Sequence, residues 1–96
     1  MRPLRWTGRA TRDLSRLRKF SASETPLAAR RAIAAIRQGV TLLASNPQIG
    51  RIAGAEDIAY REWIIPFGSA AYIVLYHVTQ SEVVLLAIRH GREAGY

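Results

Sequence analysis

Cysteine is absent from this chain, which excludes disulfides and thiolate metal sites and fits a reducing cytosol. Long apolar runs are missing as well. None approaches the roughly 20 residues of a membrane span, and the N-terminus lacks the apolar core of a signal peptide. A soluble, cytoplasmic protein without membrane association is expected. Histidine occurs only at His77 and His90. Neither has a carboxylate at ligand spacing, so no metal and no cofactor is expected. Lysine occurs once, as Lys19. No internal repeat, low-complexity tract or linker divides the chain. Its 96 residues make one domain, 1–96, near the low end of what buries an adequate core alone.

What remains is apolar and basic. Hydrophobic residues make up 49% of the chain and the mean hydropathy is −0.02, which argues for a globular fold rather than disorder. The net charge of +7 is unevenly placed. Residues 1–37 carry ten Arg and Lys against Asp13 and Glu24, for +8, whereas residues 38–96 carry four against five acids, for −1. Such a basic half suits an anionic partner: nucleic acid, a nucleoprotein or an acidic protein. The alternative is a solvated helix face that keeps the protein in solution.

In chain order, Leu4-Arg5-Trp6 is short and β-like, and Thr7 is a helix cap. Ala10, Leu14 and Leu17 then fall on one apolar stripe, with Arg9, Arg12, Arg16 and Lys19 on a basic one. Ser21 to Glu24 breaks that helix and contains a capping-box pattern, and Thr25-Pro26 offers a second start signal. An Ala-rich helix follows from Pro26 to about Ser45, with Ile33, Ile36, Val40 and Leu43 on one side. Asn46-Pro47 stops it. Gln48 to Asp57, containing Gly50 and Gly54, is expected to be a loop crossing back to the sheet.

The C-terminal third organises the rest. Three runs rich in β-branched and aromatic residues are separated by Pro66-Phe67-Gly68-Ser69 and by Thr79-Gln80-Ser81-Glu82, so they are expected to pair as an antiparallel meander. The predicted class is α+β: a helical hairpin packed on one face of a small, mostly antiparallel sheet, in the order β-α-α-β-β-β. The middle run is apolar on both faces, Ile73 and Leu75 on one, Tyr72, Val74, Tyr76 and Val78 on the other. A strand apolar on both sides is a strand covered on both sides. Four strands about 4.8 Å apart make a sheet roughly 19 Å wide, and two helices about 10 Å across cover one face of it. The second face is left for a partner, a second copy or the chain's own C-terminal tail. An apolar patch of that size marks an interaction site.

Several short patterns occur in a particular order. They are W-x-x-x-A-x-x-D-L (Trp6, Ala10, Asp13, Leu14), N-P-x-x-G (Asn46, Pro47, Gly50), R-x-W (Arg61, Trp63), A-Y-x-x-x-Y (Ala71, Tyr72, Tyr76) and I-x-H-G-R (Ile88, His90, Gly91, Arg92). In this order, over nearly the whole chain, they resemble the RelE/ParE superfamily of bacterial type II toxins. The resemblance implies a cognate antitoxin whose acidic or amphipathic C-terminal tail wraps the toxin in a hetero-oligomer. It also implies one of two activities. RelE-like members cut messenger RNA on the ribosome without metal, and ParE-like members poison DNA gyrase.

The residues lean toward the second. A lysine pair of the RelE type is absent, and Ile73 stands where RelE carries an arginine after the strand tyrosine. Arg92 matches the RelE arginine after the last strand, and Tyr96 stands near its C-terminal tyrosine. A nuclease would therefore draw on Arg61, His90, Arg92 and Tyr96, because 2′-hydroxyl attack on phosphate needs a base, an acid and cations. A gyrase poison would present Arg61, Arg89, His90 and Arg92 as recognition groups at strand ends. His90 is of the residue type suited to acid–base work or is a structural hydrogen-bonder. The antitoxin is expected on Trp63, Tyr72, Tyr76, Arg9, Arg12 and Arg16. A third reading keeps the fold and the antitoxin but no toxic activity.

Overall fold

The computed structural model describes residues 1–54 and 60–96. Strand β1 (Leu4–Trp6) leads into helix α1 (Gly8–Ala22) and helix α2 (Pro26–Ser45). Four strands follow: β2 (Arg51–Ile52), β3 (Tyr60–Phe67), β4 (Ala70–Val78) and β5 (Val83–His90). They form one mixed sheet in the order β1-β5-β4-β3-β2. Only the β1–β5 pair is parallel. The α+β class, the hairpin and the meander are as expected.

Local chemistry explains the helix ends. The Thr7 and Thr25 hydroxyls accept from the amides of Ala10 and Ala28, each satisfying one of the free donors of a first turn. Pro26 opens α2, where its missing amide costs nothing. The expected break at Ser21 falls later. Helix α1 runs on to Ala22 and Ser23 is its C-cap, because Ser21 is buried on the inner face and keeps the helix turning.

Differences in the sheet also have local causes. Part of the expected loop Gln48–Asp57 is a fifth strand, since Arg51 and Ile52 pair with Glu62 and Arg61; residues 55–57 of that loop lie outside the described residues. Pro66-Phe67, expected in a turn, belongs to β3 and pairs with Ala71 and Ala70. Strand β2 does not reach that far, so Pro66 lies where no ladder donor is required. Strand β5 carries an extra residue, Leu86, between Leu85 and Ala87, which pair with Tyr76 and Leu75. This bulge resets the alternation and lets both Leu85 and Ile88 face the helices. Side chains of α1 and its N-cap satisfy the disturbed backbone: the Ile88 amide donates to Asp13 Oδ2 at 2.9 Å and Thr7 Oγ1 donates to the Leu85 carbonyl at 2.7 Å.

The core lies between the hairpin and one sheet face. Leu17, Ile36, Val40 and Leu43 meet Ile65, Tyr72, Val74, Tyr76, Leu85 and Ile88, all essentially buried. Tyr76 is 0% exposed. Its hydroxyl donates to the Pro47 carbonyl at 2.8 Å and accepts from the Gly50 amide at 2.9 Å, fastening the corner after α2 to the central strand. Gly50 is needed there for room, since a Cβ would come within 2.6 Å of the Tyr76 hydroxyl and 2.7 Å of the Glu62 carbonyl.

Tyr76→Phe leaves the buried Gly50 amide and Pro47 carbonyl without their shared partner, so it lowers stability by about 1–3 kcal/mol. Denaturant unfolding with an unchanged m-value checks this.

Candidate functional site

The two sheet faces divide the expected residues. Register puts Arg61, Trp63, Tyr72, Tyr76 and His90 on the helix-covered face, and Glu62, Ile64, Ile73, Leu75 and Arg89 on the opposite one. Tyr72 and Tyr76, expected at an antitoxin surface, are 4% and 0% exposed. They belong to the core and offer a partner nothing. Trp63 is half-buried and its indole donates to the Gly39 carbonyl of α2 at 3.0 Å. Arg61 is equally committed, donating to the carbonyls of Gln48 and Gly50 and to Gln48 Oε1. It reinforces the corner that Tyr76 holds.

The end of β5 is built by the segment that follows it. Glu93 folds back so that its carboxylate accepts from the His90 amide at 2.7 Å and pairs with Arg16 at 2.6 Å. His90 Nδ1 accepts from the Arg92 amide, and its ring stands edge-on to Tyr72 with 5.4 Å between centroids. His90 and Arg92 line a cleft of about 330 Å³ with Arg16, Leu17, Phe20, Glu24 and Glu93. Arg9 and Arg16 pair with Asp13 on α1, while Arg12 is exposed and forms no salt bridge among the described residues.

The opposite face has its own occupant. The Tyr96 hydroxyl donates to Glu62 Oε2 at 2.5 Å, and the Arg89 guanidinium lies 5.2 Å from the centre of its ring. Glu62 is on β3 and Arg89 on β5, so Tyr96 spans the central strand between them. Of the partner, second copy and C-terminal tail expected for this face, the tail supplies part of the cover. Ile73, Val84 and Ala87 are buried, whereas Ile64 remains 42% exposed. Burial raises the Tyr96 pKa above 10, and its hydrogen bond to Glu62 and the charge of that carboxylate raise it further, against the pull of Arg89. Burial also raises the Tyr76 pKa, opposed by the Gly50 amide and by Arg61.

Arg61, His90, Arg92 and Tyr96 therefore do not converge. Arg61 sits opposite Tyr76 and His90 opposite Tyr72. That offset is about 13 Å along the sheet and about 10 Å across it. Tyr96 lies on the other face altogether. Among the described residues, no group of three or more His, Asp and Glu is placed to hold a metal ion, and no helix is long and apolar enough to cross a membrane.

A surface that sequence reasoning missed lies on the hairpin. Leu4 and Trp6 of β1, Thr11 and Leu14 of α1, and Arg37, Val40 and Thr41 of α2 line a groove of about 420 Å³. Shallower hollows continue it along the seam between the helices, sharing Arg37 and bordered by Ile33, Arg18 and Arg30. Its floor is apolar and its rim is arginine. Ile33, expected in the buried stripe, is only half-buried here, and its spacing in the sequence gives no sign of this.

A helical hairpin on one face of a five-stranded mixed sheet is the fold of RelE/ParE-type toxins. It resembles the solved chromosomal ParDE toxin–antitoxin system from P. aeruginosa, with a TM-score of 0.73 over 94% of this chain and 96% of that one, at 22% identity. A family model described as the ParE toxin of the type II toxin–antitoxin system parDE matches residues 4–95. The chain is 36% identical to Toxin RelE3 of Caulobacter vibrioides over 85 residues, 88% of this chain and 89% of that protein. It is 33% identical to Toxin RelE2 of the same organism over 86 residues, 90% and 91% of the two chains. The chain belongs to the ParE toxin family: it is a type II toxin of the ParE/RelE group.

Both raised tyrosines stabilise the fold in their protonated form. Their contribution is complete below pH 10, the unfolded value, and is lost as pH climbs above 10 toward the folded values. Tyrosinate absorbance should therefore show the Tyr76 and Tyr96 hydroxyls ionising above pH 10. Tyr96→Phe should remove one of those late steps and leave the rest of the curve in place.

Proposed function

We propose that this toxin acts as a protein ligand that poisons DNA gyrase, and that an antitoxin neutralises it by occupying the hairpin groove. The observation that carries the first part is the dispersal of Arg61, His90, Arg92 and Tyr96. Cleaving a phosphodiester needs base, acid and cation within hydrogen-bond reach of one reacting centre. Here Arg61 is consumed by the corner after α2, and Tyr96 is paired with Glu62 on the opposite face. Target recognition then falls to Arg89, His90 and Arg92 at the end of β5 and to the apolar face beside them.

The antitoxin assignment rests on shape and charge. An apolar floor of the half-buried Leu4, Trp6 and Leu14, backed by the core residue Val40, with a rim of Arg18, Arg30 and Arg37 suits the greasy side of an acidic amphipathic helix. This surface replaces the one built on Trp63, Tyr72 and Tyr76, and it draws on the same basic half of the chain. The toxin–antitoxin title of the solved relative supports a partner of this kind. One observation favours the alternative, a ribosome-dependent messenger ribonuclease: the curated relatives bear the name RelE.

Induction in bacteria, read in parallel for DNA breaks and for cleavage of ribosome-bound message, separates the two. The expected result is DNA damage with intact message. Arg92→Ala should weaken growth arrest in a graded way, by about 1–3 kcal/mol of binding. Message cleavage without DNA breaks, abolished about 100-fold or more by Arg92→Ala or His90→Ala, would establish the ribonuclease instead.

A further inference from the structure

The segment after β5 is tied down at three residues, Gly91, Glu93 and Tyr96. The Gly91 amide donates to the Ala71 carbonyl at 2.8 Å. The Glu93 carboxylate meets Arg16 and the His90 amide, and its carbonyl accepts from Arg89 Nη1 at 3.0 Å. Gly95 then adopts φ +148°, a conformation that residues with a Cβ rarely take. That reversal lays Tyr96 across β4, its hydroxyl on Glu62 and its ring against Arg89.

The closed arrangement contains its own weakness. Arg89 Nε is buried without a hydrogen-bond partner among the described residues, and a buried donor left unpaired disfavours the state that contains it. Tyr96 itself is 42% exposed, so water competes for its hydroxyl. Lifting the tail would wet Arg89 and uncover Ile73 and Ala87, which are buried in the closed form. The orphan donor and the half-exposed hydroxyl favour opening, and the bond to Glu62, the contact with Arg89 and the buried aliphatic residues oppose it.

We infer that residues Gly91–Tyr96 form a displaceable strap, an autoinhibitory contact in which Tyr96 occupies the open sheet face that the target must reach. The inference rests on the proposed reading of that face as target-binding. The strap and the protein target compete for Arg89, Glu62 and the apolar residues between them. Only the open fraction of toxin engages, and apparent affinity is reduced by that fraction.

Two substitutions open the strap by unrelated routes. Tyr96→Phe keeps the ring and deletes the bond to Glu62. Gly95→Ala adds a methyl with nothing within 4 Å of it, so it acts through backbone strain alone. Tyr96→Phe should raise the open fraction about 2- to 10-fold, the worth of one hydrogen bond, and Gly95→Ala should raise it as well, through the strain of a Cβ at positive φ. In ¹⁵N-labelled protein, exchange of the Arg89 Nε proton with water should quicken by that factor. The inducer level needed for growth arrest should fall in step. Unchanged exchange in both variants overturns the strap. Faster exchange with an unchanged or higher inducer threshold overturns the competition, and makes Tyr96 a bystander or a target contact. A wild-type chain inert at full induction overturns the toxin reading and the inference resting on it; faster exchange in the variants then locates the failure in that reading and not in the strap.

Discussion

The hydroxyl of Tyr76 sits where three parts of the chain meet. It joins the central strand to the corner between α2 and β2 through Pro47 and Gly50, from a side chain that is 0% exposed. Arg61 adds three further bonds to the same corner. Once that corner is fixed, α2 lies over β3, and Trp63 closes the layer by reaching the Gly39 carbonyl. On the other side of the hairpin, Asp13 and Thr7 hold α1 to the bulged strand β5. These polar ties matter because a chain of 96 residues buries a small core, and a single hydrogen bond is a large fraction of its net stability.

The same ties decide what is left for function. Residues that look chemically useful in the sequence, Arg61 and the two strand tyrosines, are spent on architecture. Surfaces that the core does not use are the open sheet face and the groove between β1, α1 and α2. One carries Arg89, Glu62 and Tyr96 among aliphatic residues. The other has an apolar floor and an arginine rim. A chain whose N-terminal 37 residues hold a net +8 thus concentrates its charge on the hairpin, away from the open sheet face.

How much of this was legible follows from what periodicity measures. Helical stripes and threonine caps placed α1 and α2 closely, because caps and amphipathic spacing are local properties. Alternation in β4 correctly sorted Ile73 and Leu75 from Tyr72, Val74 and Tyr76. Yet a period of two does not say which face a helix will cover, so the tyrosines were assigned to a surface. Strand β2 has two residues, too few to alternate, and Pro66 resembles a turn residue until the neighbouring strand is seen to stop short. Leu86 is one apolar residue within an apolar run, so its bulge leaves no mark on the sequence. The contact between Glu62 and Tyr96 joins residues far apart in the chain, and only the fold reveals it.

Separation of the two surfaces is the central claim. Hydrogen exchange followed by mass spectrometry, on the toxin alone and bound to its cognate antitoxin, tests it most directly. The account predicts slower exchange along β1, α1 and α2, with β3 to β5 unchanged. Protection concentrated in residues 60–96, with the hairpin unaffected, would contradict it.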